Sequence, residues 1–285
     1  MKLFDVCAHP VRIHGCLIEA PLNGVFIGEI CFIEQSLAQP KVIAKAQVIG
    51  FKEGLTVLSL IGRAQGFTRE VVIRPSGYPF VFQMGEHLAG NIFNAAGELE
   101  GALSQKNSEI TQLKTKLQRI DNPPVSVNKR RPVNEPMVTG IRAIDGLLTC
   151  GLGQRIGIFA AAGSGKTSLM NMLINHAHGD IHIVALIGER GREVIEFIEE
   201  LKQSPHADKT ILVYATSDSP PIERCNAALL ATAMAEYFRD LGKQVLLYVD
   251  SMTRYARALR DVALAAGELP ARRGYPCLLY TSDAA

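Results

Sequence analysis

The sequence lacks tryptophan and contains no long uninterrupted run of apolar residues. The missing tryptophan excludes no class of function. Because no run approaches the roughly 18 apolar residues that a bilayer-crossing helix needs, we expect no membrane span. Met1 and Lys2 are not followed by an apolar core, so we also expect no secretory signal.

Cysteines at metal-binding or redox spacing are missing as well. None of the six cysteines forms a C-x-x-C motif, and they lie scattered in apolar segments. We therefore expect reduced, buried thiols. The chain also lacks an excess of one charge, since 30 Lys and Arg oppose 28 Asp and Glu. A net charge of +2 argues neither for nor against a nucleic-acid partner.

The N-terminal part of the chain has the pattern of short strands. A length of 285 residues suffices for two domains, or for one large α/β domain with an appendage. Segments rich in Val, Ile and Leu, separated by glycines, predict strands at 11–20, 27–33, 41–51 and 55–62. This spacing over residues 1–85 is typical of a small antiparallel barrel or sandwich.

Residues 86–136 lose this pattern and form a predicted connecting segment. Its second half, 104–136, is polar and becomes rich in proline toward its end. It predicts one short polar helix followed by an extended linker, because Pro123, Pro124 and Pro132 prevent a helix from continuing.

From residue 137 onward, continuous apolar strands alternate with helices. Strands are predicted at 155–160, 182–188, 210–216 and 244–250, and helices at 165–178, at 223–241 and around Val194, Ile198 and Leu201, which share one face. Such an alternation predicts a parallel sheet that is covered by helices on both faces.

The turn between the first of these strands and its helix matches a phosphate-binding loop. Ala160 to Thr167 follow the pattern G-x-x-x-x-G-K-S/T at every fixed position except the first, where alanine replaces glycine. Gly163 and Gly165 allow backbone N–H groups to turn inward around phosphate oxygens. The start of the following helix adds a partial positive charge.

The side chains of this loop suit a nucleoside triphosphate. Lys166 is predicted to bridge the β- and γ-phosphates, and the Thr167 hydroxyl to hold Mg²⁺. The predicted ATP-binding residues are Ala160, Ala161, Ala162, Gly163, Ser164, Gly165, Lys166, Thr167 and Ser168.

Charged residues follow two further predicted strands. Asp250 ends the strand 244–250, at the edge where α/β sheets bind ligands, and is predicted to hold Mg²⁺ through water. Glu189 and Arg190 follow the strand 182–188, where a carboxylate can align an attacking water and an arginine can stabilise phosphate charge. A plain salt-bridged turn is the alternative interpretation of this pair.

Several longer motifs carry a resemblance to a known family. They are "MVTGIRAIDGLLTCGLGQRIGIFAAAGSGKT", "LIGERGREV", "ATSD", "AEYFRDLGK" and "DSMTRYARALRDVALAAGE". Together they resemble the ATPases of type III secretion systems, a family related to the flagellar export ATPase and to the catalytic subunits of rotary ATP synthases. The resemblance is densest over 137–276 and weaker over 1–85. "CNAALLATAMAEYFRD" and "ARRGYP" favour the injectisome branch.

This resemblance implies an N-terminal small β-barrel over 1–85, followed by a RecA-like P-loop parallel-sheet ATPase core over 137–276. It implies Lys166 and Thr167 as the P-loop pair and Glu189 as the catalytic carboxylate. Arg190 is then its neighbour at the phosphates, and Asp250 is the Walker B acid. A carboxylate at position 189 favours a hydrolytic subunit, with ATP and Mg²⁺ as cofactors.

The resemblance also implies partners and a location. It suggests a homohexameric ring whose ATP hydrolysis releases chaperones and unfolds exported proteins. The implied partners are the export apparatus, its stalk and stator proteins and effector–chaperone complexes, without nucleic acid. The implied location is cytoplasmic, peripheral to the inner membrane.

The resemblance ends at Tyr275 and Pro276, and residues 277–285 are predicted to be a tail foreign to the family. The family continues with further core strands, an arginine that reaches the neighbouring subunit's site, a contact to adenine and a C-terminal helical domain. We therefore expect the chain as given to be truncated, to hydrolyse ATP slowly and to expose apolar sheet surface.

Three alternatives are weighed against this interpretation. The first is a flagellar export or rotary ATPase subunit. The second is a RecA-like nucleic-acid motor, which would need aromatic stacking platforms and a basic groove, whereas Phe26, Phe32 and Phe51 lack interleaved basic residues. The third is a nucleotide-sensing scaffold, against which Glu189 argues.

A few further residues are singled out by their grouping. The histidines at 176, 178 and 182 are interpreted as solvated loop residues rather than a metal site. Arg254 begins an arginine series at helical spacing that is either a charged helix face or, by the resemblance, close to the γ-phosphate. Glu223 and Arg224, at a predicted helix start, are assigned no function.

Overall fold

The computed structural model describes residues 7–36, 40–62, 67–104, 115–161 and 163–276. Within these ranges an antiparallel β domain precedes a domain in which helices cover both faces of a five-stranded, mostly parallel sheet. The predicted fold class is thereby confirmed. None of the helices in these ranges combines the length and the apolar character that crossing a bilayer requires. The predicted tail at 277–285 lies outside the described residues.

Six strands build the N-terminal domain. They are β1 (Arg12–His14), β2 (Leu17–Ala20), β3 (Glu29–Glu34), β4 (Val42–Lys52), β5 (Leu55–Ile61) and β6 (Val72–Pro79). Their spatial order is β1-β2-β5-β4-β3-β6, and every neighbouring pair is antiparallel. Ala8 and Ile73 exchange backbone hydrogen bonds of 3.1 and 2.9 Å, which join the segment before β1 to β6. This bridge closes the sheet into a barrel.

The barrel interior is filled by alternating side chains of its strands. Ile18, Cys31, Ile33, Leu58 and Ile73 belong to one buried apolar cluster, as expected where every second residue points inward. The prediction of a single strand over 11–20 is wrong, because the chain reverses between β1 and β2. Gly15 lies in this turn with φ 59°, in the left-handed region that suits glycine.

Short elements connect the barrel to the second domain. They are β7 (Val81–Met84), β8 (Asn91–Asn94), β9 (Leu99–Ala102), β10 (Lys116–Arg119), β11 (Pro136–Met137), α1 (Arg142–Leu147) and β12 (Cys150–Gly151). β7 pairs with β10, β8 with β9 and β11 with β12, all antiparallel.

The second domain is built from α2 (Lys166–His176), β13 (Ile181–Glu189), α3 (Gly191–Lys202), β14 (Thr210–Thr216), α4 (Pro221–Asp240), β15 (Val245–Asp250) and α5 (Met252–Ala265). Single 3-10 turns lie at Glu86–Leu88, Val127–Lys129, Ala207–Lys209 and Arg272–Gly274. The long predicted helix ends as expected, since Gly242 follows α4 with φ 80°.

The central sheet has the order β15-β13-β14-β8-β9. β13 is parallel to both β14 and β15, and β14 is parallel to β8. The segment 86–136 is therefore more than a connection, since β8 and β9 extend the core sheet. Its predicted polar helix does not appear among the described residues, and 105–114 lie outside them.

Two helical layers cover this sheet. The side chains of Ile183, Ala185 and Ile187 pack against α4 in one cluster. Val184 and Leu186, which alternate with them, pack against α2 and α3 in the other. The strand β13 is buried on both faces, as its continuous apolar sequence predicts.

The predicted strand at 155–160 is not formed. These residues make no ladder with the described strands and lie exposed, with Phe159 at 95% exposure. Apolar side chains alone do not make a strand, because the backbone N–H and C=O groups of a strand need hydrogen-bond partners on a neighbouring strand. β15 is an edge strand with β13 on one side. Ile156 and Ile158 are exposed in this segment as well.

The barrel is docked onto the helices of the second domain. The Glu223 carboxylate accepts a hydrogen bond of 2.5 Å from the Gly62 N–H, and the Asn226 amide donates one of 3.0 Å to Gln47. An apolar cluster that includes Ile222 from α4 joins the two parts. The start of α4 is thus held by the barrel.

His182 corrects an expectation about the three histidines. Its side chain in β13 is fully buried rather than solvated, and both ring nitrogens lack a hydrogen-bond partner among the described residues. It stacks between His206 and Tyr248, with ring centroids 5.2 and 6.1 Å away. Burial lowers the pKa of His182 from 6.5 to about 4, and the nearby charges of His206 and Lys209 add to this effect.

This buried imidazole predicts a loss of stability in acid. Between pH 6.5 and about 4, the unfolded chain binds a proton at this position that the folded chain does not. The free energy of unfolding should therefore fall as the pH drops through this window, by up to about 3 kcal/mol from this group. His182→Phe keeps a stacked ring without a titrating nitrogen and should flatten that slope in urea unfolding measured at pH 7 and pH 4.5.

His14→Gln serves as the control, since this side chain is exposed at the barrel surface. It should leave the pH dependence of unfolding as in the wild type. An unchanged slope in His182→Phe would contradict the prediction.

Candidate functional site

The glycines of the phosphate loop adopt the conformation that a phosphate cradle needs. Gly163 has φ 78° and Gly165, which caps α2, has φ 88°. A Cβ built on either glycine would meet no atom within 4 Å, so the space beside each glycine is open. Ala162 lies outside the described residues. The positive φ angles of Gly163 and Gly165 are those of a loop that can turn N–H groups toward an anion.

The side chains of the loop are accessible to a ligand. Lys166 donates a hydrogen bond of 2.9 Å from Nζ to the Ala160 carbonyl, and the Ser164 hydroxyl donates to the Ala161 carbonyl. Thr167 and Ser168 are exposed in the first turn of α2. The helix is anchored below by Met170 and Ile174, which pack against the sheet.

Glu189 and Asp250 lie at the same rim of the sheet. Glu189 ends β13 and Asp250 ends β15, and the register of these parallel strands pairs Leu186 with Asp250. The carboxyl ends of parallel strands share one edge, which is where α/β sheets bind ligands. The structure therefore brings these two acids together. The side chain of Arg190, which caps α3, is exposed.

Arg254 pairs with one of the two acids. Its guanidinium forms an ion pair with the Glu189 carboxylate, whose side chain is only 15% exposed. Ser251 caps α5 and accepts a hydrogen bond of 3.4 Å from the Arg254 N–H, which fixes the first turn of the helix. The sequence left Arg254 with two interpretations, a charged helix face or a position close to the γ-phosphate, and did not predict its ion pair with Glu189.

Burial and charge act against each other at Glu189. Burial raises the pKa of Glu189, and the neighbouring acids Glu193 and Asp250 act in the same direction, whereas Arg254 lowers it. The net direction is upward. A carboxylate with a raised pKa is a stronger base, which suits a group that orients and deprotonates water near neutral pH.

The donors at this site fit a magnesium ion bound together with a nucleotide. The Thr167 hydroxyl and the Asp250 carboxylate supply hard oxygen donors, which Mg²⁺ prefers, and phosphates and water complete such a shell. No cluster of three or more His, Cys, Asp or Glu side chains suited to a metal occurs among the described residues.

A glycine-rich loop before a helix, acids at the carboxyl rim and an α/β sheet together define a P-loop nucleotide-binding protein. A family model described as "ATP synthase alpha/beta family, nucleotide-binding domain" matches residues 140–285. The chain belongs to this family.

Known proteins support this assignment over most of the chain. The chain is 51% identical over 279 residues to the SPI-1 type 3 secretion system ATPase of Salmonella typhi, covering 98% of this chain and 64% of that protein. It is 41% identical to the flagellum-specific ATP synthase of Bacillus subtilis, covering 93% and 59%. The resemblance stated from the motifs is thereby confirmed.

A solved structure gives the same result for the fold. The assembled ATPase EscN from the enteropathogenic E. coli type III secretion system matches with a TM-score of 0.82 and 40% identity. The match covers 96% of this chain and 64% of that one. The chain thus spans less than two thirds of the length of these relatives.

Gly188 offers a test of the geometry at this rim. It has φ 70°, and a Cβ there would lie 3.1 Å from Cδ of Arg254. Gly188→Ala should lower the free energy of unfolding by about 1–2 kcal/mol, because the left-handed conformation disfavours an L side chain. The measurement is urea unfolding of the purified chain.

Gly191→Ala is the matched control three residues later. Gly191 begins α3, and a Cβ there meets nothing within 4 Å. This variant should be neutral or slightly more stable, since alanine favours helices. Equal losses in both variants would show that the backbone conformation at Gly188 is not the cause.

Proposed function

We propose that this chain is the nucleotide-binding part of an ATPase that energises protein export through a type III secretion system. One observation carries the proposal. An open glycine-rich loop starts α2, which packs against the sheet, and the carboxyl rim of that sheet carries the largely buried Glu189 carboxylate and a second acid, Asp250. The 51% identity to a type 3 secretion system ATPase, against 41% to a flagellum-specific ATP synthase, favours the injectisome.

In the proposed reaction, the loop binds the triphosphate of ATP. Backbone N–H groups between Ala160 and Thr167, together with the start of α2, stabilise the phosphate charge. Lys166 exchanges its hydrogen bond to the Ala160 carbonyl for oxygens of the β- and γ-phosphates. Thr167 and Asp250 would hold Mg²⁺, which would neutralise charge on the phosphate oxygens.

Glu189 then acts on the attacking water. The carboxylate orients the water and takes up its proton, while the water oxygen attacks the γ-phosphorus and the bond to the bridging oxygen of ADP breaks. The products are ADP and phosphate. Arg190 stabilises charge on the transferred group. The ion pair between Glu189 and Arg254 keeps the carboxylate oriented before the nucleotide arrives.

The assembly proposed for the whole protein follows its relatives. EscN is described as assembled and in complex with its central stalk EscO. We infer a homohexameric ring with a stalk, stator proteins and effector–chaperone complexes as partners, at the cytoplasmic face of the inner membrane and without nucleic acid.

Glu189→Gln tests the proposed role of the carboxylate. The variant should bind MgATP within about twofold of the wild type, because the loop is unchanged. Hydrolysis should fall by about 10²-fold or more, since the water loses its base. Binding is measured by titration calorimetry, and hydrolysis by release of labelled phosphate under single-turnover conditions, which detects slow rates.

Glu196→Gln is the matched control on α3. Glu196 is exposed and pairs with Arg192 at 3.0 Å. It should bind and hydrolyse ATP like the wild type. Hydrolysis at the wild-type rate by Glu189→Gln would refute the proposed role of that carboxylate.

A further inference from the structure

Glu223 and Arg224, adjacent in the first turn of α4, contact two different parts of the molecule. Glu223 accepts the 2.5 Å hydrogen bond from the Gly62 N–H of the barrel. Arg224 extends instead toward the end of β13, where its Cδ lies 3.5 Å from the position that a Cβ on Gly188 would take. The barrel thus anchors the turn from which Arg224 reaches the candidate site.

Two arginines converge at this point. Cδ of Arg254 lies 3.1 Å from the same position on Gly188, and Arg224 approaches it beside Arg254. Gly188 directly precedes Glu189 at the end of β13, and the guanidinium of Arg254 reaches the Glu189 carboxylate itself. Arg224 thus approaches the same strand end, at the residue before the candidate catalytic carboxylate. They come from the starts of two different helices, α4 and α5, so sequence spacing does not reveal the convergence.

The two arginines differ in their partners. Arg254 is ion-paired with Glu189. Nε of Arg224 is buried and has no hydrogen-bond partner among the described residues. A buried N–H group of a cation without an acceptor is costly, and such groups in native proteins usually have a partner. An anion with several oxygens would supply an acceptor for the Nε–H group of Arg224.

We propose that Arg224 binds the terminal phosphate of the nucleoside triphosphate. This inference rests on the proposed function, because it takes the ligand of the loop to be that nucleotide. A guanidinium fits a phosphate through two parallel N–H donors, which an ammonium cannot reproduce. The contact exists with a triphosphate and is absent with a diphosphate, and this difference makes it measurable.

The experiment compares two nucleotides on the full chain. Titration calorimetry measures the affinities of Arg224→Gln for the magnesium complexes of ADP and of the non-hydrolysable triphosphate AMP-PNP. We expect AMP-PNP to bind about tenfold more weakly than to the wild type, and ADP to bind within twofold. Arg224→Lys, which keeps the charge, should recover part of the AMP-PNP affinity and guards against a folding defect of the first variant.

Arg239→Gln is the matched control at the other end of α4, where Arg239 is exposed and pairs with Asp240 at 2.8 Å. It should leave both affinities unchanged. Equal weakening of ADP and AMP-PNP in Arg224→Gln would indicate a structural role and overturn the inference, as would unchanged affinities. If the wild-type chain bound neither nucleotide, the proposed function itself would fail and this inference with it.

Discussion

The parallel pairing of β13 with β14 and β15 is the constraint on which the rest of the structure depends. β13 is buried along nearly its whole length. Its odd-numbered side chains pack against the helical layer of α4, and its even-numbered side chains pack against the layer of α2 and α3. The same register brings Glu189 and Asp250 to one rim. A shift of one residue between parallel strands would exchange the buried faces and separate the acids. Packing and chemistry are therefore fixed by one set of backbone hydrogen bonds.

The carboxyl rim of the central sheet holds side chains of opposite charge in a partly buried environment. Burial and Asp250 disfavour the ionised form of Glu189, and Arg254 favours it. Arg254 lies in the first turn of α5, and Arg224 lies in the first turn of α4. Both helices also contact the barrel. Ala266, directly after α5, lies against Gly50, and Glu223 binds the Gly62 backbone. The N-terminal domain thus supports the two helices whose first turns bring Arg224 and Arg254 to the end of β13.

The predicted strands and helices were close to the observed ones where the local sequence pattern agreed with the pairing in the sheet. The strand 210–216 and the helix that ends before Gly242 were found as expected, since each has its own periodicity and its own end signal. The prediction failed where a neighbouring strand decides whether a segment joins the sheet. The segment 155–160 has the apolar character of a strand but pairs with none of the described strands, and β8 is too short for its pattern to place it in the core sheet. His182 was expected to be solvated because it begins the predicted strand 182–188, next to a loop, yet β13 lies between β15 and β14 and buries this side chain.

The sequence by itself determined the alternation of strands and helices, the glycine-rich loop with Lys166 and Thr167, and the positions of Glu189 and Asp250 at strand ends. These features are encoded by residues close together in the chain, through periodicity and the special dihedral angles of glycine. Only the tertiary structure decided that Arg254 pairs with Glu189, that Arg224 lies beside Gly188, and that Ala8 closes the barrel. Each of these contacts joins separate elements, and the distance between them depends on strand order and helix packing, which no local pattern specifies.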